Sequence, residues 1–316
     1  MTVLIFSSSL FLVASFFAAD VRSPHLPQTG GESTTSGGPP QQGTSNQAVQ
    51  DSLNLVDWYR QHYDFISLED TIFTFESEFE IPEGYRRPDS AELSLFQNWV
   101  SHFPLWHRWK PVGIWKGGKA YERDQISRVV HLPWKGRNFR DCAIPLRILA
   151  EFLRYRQREF EMQIIPRLGD TLRYEEWLRS KAVYGGRGEV LIQPDDPREP
   201  SPYEYYRFLD FGMKNTTYKS LAANCDSIPE SLAAPGDLFV AHNEDATTGC
   251  AYVIMNMLVN DANEKLYVVA TGCPEACDFH IPLFNENRHN PWITIEHIRI
   301  LAADLPYAGF FRFKVQ

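Results

Sequence analysis

Two apolar runs near the C-terminus constrain the fold of this chain more than any other feature. Ala251 to Val259 and Leu266 to Ala270 are rich in β-branched and aromatic side chains, and the polar stretch Asp261-Ala262-Asn263 separates them. Apolar runs joined by a turn of this composition predict an antiparallel hairpin. A third run, Asp237 to Ala241, precedes them. We therefore expect a sheet in this part of the chain.

Helical spacing is clearest upstream of that hairpin. A long helix is predicted from Asp141 to Met162, because Ile144, Ile148 and Phe152 fall on one face. Pro145 is compatible with this helix because the amides of a first turn lack intrahelical partners. We predict an α+β fold with a mixed or antiparallel sheet, in which the C-terminal hairpin packs against the long helix.

The remaining elements follow from shorter periodic patterns and from turn residues. Further helices are predicted over 48–63, 88–99, 172–182 and 202–213, and further strands over 71–79, 112–115, 126–132 and 188–193. The sequence contains no internal repeat, which excludes a solenoid.

The first fifty residues differ in composition from the rest. Residues 1–19 are apolar, carry no charge and end in small residues, which predicts a secretory signal peptide. Because no Lys or Arg precedes the apolar run, an uncleaved signal anchor is the alternative, and only then would the protein contact a membrane. Residues 20–50, rich in Pro, Gly, Ser, Thr and Gln, predict a disordered linker. Residues 51–94 are assigned to an N-terminal extension and 95–316 to the main domain. We expect an exported protein, either periplasmic or at the cell surface.

Charge and motifs exclude several functional classes. The net charge of −9 argues against a nucleic-acid surface, which needs an excess of Lys and Arg. No dinucleotide-binding, phosphate-loop or His-Glu-x-x-His pattern is present, so no cofactor is expected.

A set of short motifs is spread over about residues 95–315. They are Phe96-Gln97-Asn98-Trp99, Pro104-Leu105, Arg140-Asp141-Cys142-Ala143, Leu149-Ala150-Glu151-Phe152-Leu153, Pro235-Gly236-Asp237-Leu238-Phe239, Gly249-Cys250-Ala251, His280-Ile281 and Pro291-Trp292. In order and spacing they resemble a bacterial family catalogued as "domain of unknown function 4846". The layout is also similar to that of NlpC-type cysteine peptidases and amidases, which cut cell-wall peptides. That similarity implies an NlpC- or papain-like arrangement, with a cysteine at a helix N-terminus and a histidine on a strand.

The resemblance implies a catalytic site, and this chain departs from the family pattern at one position of that site. Cys142 is the candidate nucleophile, because a helix N-terminus favours the thiolate. The family position that reads Gly-His-Ala is Gly249-Cys250-Ala251 here, so the expected base is replaced and Cys250 is expected to be non-catalytic. His280 is the remaining candidate base, and His131 and His242 lie on neighbouring predicted elements. The alternative interpretation of Cys142 is a small buried residue without chemistry.

Three cysteines fall on positions that the hairpin should bring together. In an exported protein, Cys250, Cys273 and Cys277 predict a disulfide between Cys250 and either of the other two. The alternative is a zinc site formed by Cys250, Cys273, Cys277 and His280, since three sulfurs and one imidazole suit tetrahedral zinc. The chain has five cysteines, so at least one stays free or pairs between chains.

These observations lead to three alternative predictions of function. The first is a catalytically impaired relative of a cell-envelope thiol hydrolase, acting in binding or in a structural role. The second is an active cysteine amidase or peptidase that cuts cell-wall peptides with Cys142 and His280. The third is an interaction protein of the envelope, displayed on the linker. The expected partner is a cell-wall peptide or glycan.

Overall fold

The computed structural model describes residues 56–67, 72–132, 136–284 and 287–314. The predicted signal peptide, the linker and the first part of the predicted helix over 48–63 lie outside these ranges. Of that helix, residues 56–62 are described and helical. No helix in the described ranges combines the length and the apolar character that a bilayer span requires.

Helices and strands are interspersed along the chain. The helices are Phe75–Glu78 (α1), Leu95–Ser101 (α2), Ile144–Tyr155 (α3), Tyr174–Trp177 (α4), Pro202–Lys214 (α5), Tyr218–Ala223 (α6) and Ile295–Ile300 (α7), with 3-10 turns at Ser90–Glu92, Glu159–Glu161 and Glu230–Leu232. The strands are Tyr85–Arg86 (β1), Val112–Gly113 (β2), Lys119–Tyr121 (β3), Ile126–Val129 (β4), Gln163–Ile164 (β5), Leu172–Arg173 (β6), Ser180–Tyr184 (β7), Val190–Pro194 (β8), Cys225–Ile228 (β9), Leu238–His242 (β10), Gly249–Asn260 (β11), Lys265–Thr271 (β12), His280–Pro282 (β13) and Tyr307–Phe313 (β14).

One antiparallel sheet forms the centre of the molecule. Its strands lie in the order β4-β13-β12-β11-β10-β14-β9, and β1 pairs with the end of β11. The predicted hairpin of β11 and β12 is central, and Asn263 in its turn adopts a left-handed φ of 65°. The α+β fold with an antiparallel sheet is therefore confirmed.

The central hairpin is buried on both faces. Val253 and Val268 belong to the larger apolar cluster, which also contains most of α3. Their neighbours Ile254 and Val269 point the other way, into a second cluster with Ile298 of α7. Because side chains alternate along a strand, one hairpin serves two apolar layers.

The start of α3 lies directly against the end of the hairpin. A Cβ added at Gly272, just after β12, would lie 2.4 Å from the Cδ1 of Ile144 and 3.1 Å from the Cα of Asp141. The backbone N–H of Asp141 also donates to the carbonyl of Cys273, at 3.2 Å. The predicted packing of the hairpin against this helix is confirmed at this contact.

The helix itself is shorter than the predicted range 141–162. It begins two residues after Cys142, so this cysteine precedes the helix. It ends because Gln157 adopts a left-handed φ of 55°, after which the N–H of Arg158 donates back to the carbonyl of Leu153 at 2.7 Å. This 6→1 hydrogen bond is a common helix terminator.

Side-chain caps decide where two other elements begin. The predicted strand over 71–79 is wrong in its described part, because Thr74 forms a capping box with Ser77 and starts the helical turn α1. The predicted helix over 88–99 is divided, because Ser94 caps α2 after the separate 3-10 turn.

The predicted helix over 172–182 is wrong except for α4. The glycine-rich turn at 185–188, in which Gly188 has a φ of 79°, reverses the chain between β7 and β8. These strands pair antiparallel from Ser180 with Pro194 to Tyr184 with Val190. A local hairpin therefore forms in place of the helix that the sequence pattern predicts for this segment.

Substitution of Gly272 tests the contact between hairpin and helix. We expect Gly272→Ala to lower the free energy of unfolding by about 1–3 kcal/mol, because the new methyl group has no space against Ile144 and the backbone of Asp141. Urea unfolding measures the effect. The matched control is Gly186→Ala, whose added Cβ would have no atom within 4 Å. Equal stability of both variants would contradict the contact.

Candidate functional site

Cys142 is held in a buried, hydrogen-bonded segment. Its side chain is 3% exposed, its N–H donates to the Oδ1 of Asp141 at 2.8 Å, and its Sγ lies 3.8 Å from the carbonyl oxygen of Thr216. Burial, and then the charge of Asp141, raises the pKa of the Cys142 thiol to about 12. The expectation of a lowered pKa at a helix start is therefore wrong, because Cys142 lies before the helix and away from water.

Asp141 connects the groups around this cysteine. Its Oδ2 accepts a hydrogen bond from the hydroxyl of Tyr218 at 2.8 Å. Burial raises the pKa of the Asp141 carboxyl, while the bonds from Tyr218 and from the N–H of Cys142 act in the opposite direction. The charge of Asp141 also acts on Cys250, whose pKa is raised to about 12, mainly by burial. With these pKa values both groups are protonated at neutral pH, so neither supplies a thiolate nucleophile or a proton acceptor.

His280 lies in a different set of contacts from Cys142. It is in β13, its Nδ1 is 2.9 Å from the carbonyl oxygen of Asp278 and 3.9 Å from the Sγ of Cys277, and its ring centroid is 5.2 Å from that of Tyr121. Burial lowers the pKa of the His280 imidazole. No hydrogen bond among the described residues joins this ring to Cys142, so the structure does not provide the predicted nucleophile–base pair.

The other two histidines stack on aromatic side chains. The ring of His131 lies 4.0 Å from that of Trp106, centroid to centroid. The ring of His242 lies 5.3 Å from that of Tyr307, and its Nδ1 is 2.6 Å from the carbonyl oxygen of Asn243. The structure gives both imidazoles a packing role.

The disulfide joins Cys273 to Cys277, with their Cα atoms 5.4 Å apart. Cys250 is free, so the predicted disulfide from Cys250 is wrong. The reason is local: Ala276 adopts a left-handed φ of 63°, and its N–H donates to the carbonyl of Cys273 at 3.1 Å. This turn brings Cys277 back to Cys273.

The predicted zinc set is only partly assembled. Ligand atoms of Cys273, Cys277 and His280 all lie within 4.8 Å of one another, and all three residues are buried. Cys250 does not belong to this group, so the predicted four-residue set is wrong in that member. In the disulfide form both sulfurs are bonded to each other.

A cavity of about 310 Å³ adjoins Cys142 and carries both signs of charge. Arg140 lines it and donates to the carbonyl of Thr216 at 3.0 Å. Arg167 lines it too and has no ion-pair partner among the described residues. Asp245 accepts hydrogen bonds from the hydroxyl and the N–H of Thr247, which lower its pKa. Sequence reasoning missed Arg167 and Asp245, because neither belongs to a motif that indicates a site. Arg140 could have been identified, because it lies two residues before Cys142 in the same motif.

The Tyr218 hydroxyl can be tested by removal. We expect Tyr218→Phe to lower the free energy of unfolding by about 1–3 kcal/mol at neutral pH, because the buried Asp141 carboxylate loses a donor. Without that donor the pKa of folded Asp141 rises further above its unfolded value. The folded state then binds the proton more readily, so the loss should shrink as pH falls through the raised pKa values of folded Asp141, which lie above the ordinary range for Asp.

Urea unfolding at several pH values measures this dependence. The matched control is Tyr307→Phe, because Tyr307 is half exposed and its hydroxyl makes no hydrogen bond among the described residues. A loss in Tyr218→Phe that does not change with pH would contradict the assigned role of Asp141.

Comparisons with known proteins identify a family and give no further relatives. Residues 75–311 match the family described as "Domain of unknown function (4846)". This match begins upstream of the motifs that carry the resemblance and covers about three quarters of the chain. No curated protein matches the chain significantly. No solved structure does so either. The chain belongs to the family described as Domain of unknown function (4846).

Proposed function

We propose that this chain is a non-catalytic binding protein of the cell envelope, related in layout to thiol hydrolases. In this proposal the cavity beside Cys142 holds a short charged peptide without cutting it. The single observation that carries the proposal is the burial of the Cys142 thiol, whose pKa is raised to about 12.

The electrostatics oppose catalysis by Cys142. A cysteine nucleophile acts as the thiolate and needs a base within hydrogen-bond reach. Here burial raises the pKa of the Cys142 thiol most, the carboxylate of Asp141 raises it further, and the guanidinium of Arg140 opposes this only in part. Cys250 stands at the family's histidine position, and a thiol with a raised pKa cannot accept the proton at neutral pH.

The cavity lining favours a ligand with both charges. The guanidinium groups of Arg140 and Arg167 can bind a carboxylate, since this group matches carboxylate geometry. Asp245, whose carboxylate form is favoured by its hydrogen bonds, can accept from an ammonium group. Cell-wall peptides carry both kinds of group, which supports the predicted partner class.

Export is the second part of the proposal. The apolar segment 1–19 and the polar segment 20–50 support a signal followed by a tether. The Cys273–Cys277 disulfide is consistent with an oxidising compartment such as the periplasm or the cell surface.

Alkylation of the native protein separates a binding protein from an active thiol hydrolase. We expect Cys142 to react with iodoacetamide at pH 7 about 1,000-fold or more slowly than free cysteine, because a pKa of about 12 leaves very little thiolate. The rate should rise steeply only at high pH. Peptide mass spectrometry over time measures it, and Cys142→Ala supplies the background. A rate at pH 7 above that of free cysteine would favour an active amidase and remove the proposal.

Peptide binding tests the cavity. We expect alanyl-alanine with free termini to bind, and Arg167→Ala to weaken its binding by about tenfold or more, because a charge-assisted hydrogen bond is lost. Calorimetry measures both affinities. The matched control is Arg179→Ala, an exposed arginine paired with Glu175 outside this cavity.

The alternative function, an interaction protein displayed on the linker, predicts a different result. Retention of the protein on purified peptidoglycan that Arg167→Ala does not reduce would favour that function, because the binding surface would then lie outside the cavity. Absence of alanyl-alanine binding would contradict the proposed ligand class.

A further inference from the structure

We propose that Cys273, Cys277 and His280 form a zinc site when the Cys273–Cys277 disulfide is reduced. One ligand atom from each of these three residues lies within 4.8 Å of the other two. Two thiolates and one imidazole are ligands that zinc prefers in proteins. The site does not require the proposed peptide-binding function, although Pro274 between the two cysteines also lines that cavity.

The three ligands are held in place by backbone contacts. These contacts do not involve the sulfur atoms, so they persist after reduction. They are the hydrogen bonds from the N–H of Ala276 to the carbonyl of Cys273 (3.1 Å), from Asp141 to Cys273 (3.2 Å), from Trp115 to Ala276 (3.1 Å) and from Asp278 to Gly113 (2.9 Å). The imidazole is fixed separately, because His280 pairs with Thr271 and Val129 inside the sheet.

The disulfide itself contributes little to this arrangement. It links residues only four positions apart, and the entropic effect of a cross-link grows with the length of the loop that it closes. A turn with its own hydrogen bonds therefore keeps the two side chains together in either redox state.

Metal binding would require only a small movement of the sulfurs. Zinc–sulfur distances of about 2.3 Å and tetrahedral angles place two coordinated sulfurs about 3.8 Å apart. Rotation of the two side chains can reach this separation while the backbone stays in place. The described ligands occupy three positions, which leaves the fourth for water.

The surroundings suit a metal-bound imidazole and a charged centre. The Nδ1 of His280 lies 3.9 Å from the Sγ of Cys277, and its contact with the carbonyl of Asp278 at 2.9 Å would be replaced when this nitrogen binds the metal. All three ligand residues are buried, and two neighbouring thiolates in such a place repel each other. A divalent cation removes that repulsion. Pro274 and Glu275 between the cysteines are exposed, so the metal can enter from the loop side.

Formation of the metal site begins with reduction of the disulfide. A dithiol donor gives two electrons to the Cys273–Cys277 bond and becomes a disulfide itself, while two cysteine thiols form. Zinc then binds both sulfurs and the imidazole, and the two thiol protons pass to solvent. Oxidation of the two thiolates by an acceptor disulfide reverses the change and releases the metal.

The test uses the full chain with Co²⁺ as a spectroscopic probe and Zn²⁺ as the competitor. After reduction with a phosphine and removal of the reductant, we expect one equivalent of Co²⁺ to give thiolate-to-metal charge-transfer absorption, which Zn²⁺ displaces. The oxidised wild-type protein should give no such band. Cys273→Ser, Cys277→Ser and His280→Gln should each weaken metal binding at least about tenfold, the loss that even an outer-shell change can produce.

Cys250→Ser is the matched control, because Cys250 is free and lies outside the group. It should retain full affinity, which also separates this site from the one predicted with Cys250. The proposal is overturned if the reduced wild-type protein gives no band, if Cys250→Ser abolishes it, or if His280→Gln leaves the affinity unchanged. Comparison of the two redox states of the wild-type protein keeps the test decisive even where a variant fails to fold.

Discussion

The buried carboxylate of Asp141 is the interaction on which the site depends. The backbone N–H of Asp141 donates to the carbonyl of Cys273 after β12, and the carboxylate accepts from the hydroxyl of Tyr218 in α6 and from the N–H of Cys142. These bonds join the start of α3, α6 and the end of the hairpin. Burial is the main cause of the raised pKa of the Cys142 thiol, and the negative charge of the same carboxylate adds to it. The bonds of Asp141 thus fix the geometry around the Cys142 thiol, while burial and the carboxylate charge together raise its pKa.

The sheet could be predicted because its signal is local and strong. The strands β11 and β12 are continuous apolar runs, and burial of both faces by Val253 and Ile254 explains why polar residues hardly interrupt them. The predictions of helices and strands were wrong where a single residue sets the direction of the backbone. Thr74 caps a helical turn inside an alternating pattern, and Gly188 permits a hairpin inside a helical one. Such choices depend on single hydrogen bonds or a single φ, and periodicity does not record them.

The site could be predicted only as far as the family resemblance reached. Resemblance led to Cys142 and to the cysteine at position 250, but the pKa of Cys142 depends on burial, which sequence spacing does not reveal. The disulfide depends on the left-handed backbone of Ala276, a conformation that alanine rarely adopts. Arg167 and Asp245 come from separate loops and meet only in the folded chain. No pattern along the sequence could have paired them.

The family motifs divide into two kinds once their contacts are known. Gly236, with a φ of 86°, leaves no space for a Cβ against the ring of Phe96, and the buried Asp237 binds Arg312 through both oxygens at 2.7 Å. These contacts stabilise the fold of this chain. The departure occurs at Cys250, where the resemblance implies a proton acceptor. The contacts of Gly236 and Asp237 account for the local architecture, whereas the loss of a hydrolytic reaction is part of the proposed function and rests on the burial of the Cys142 thiol.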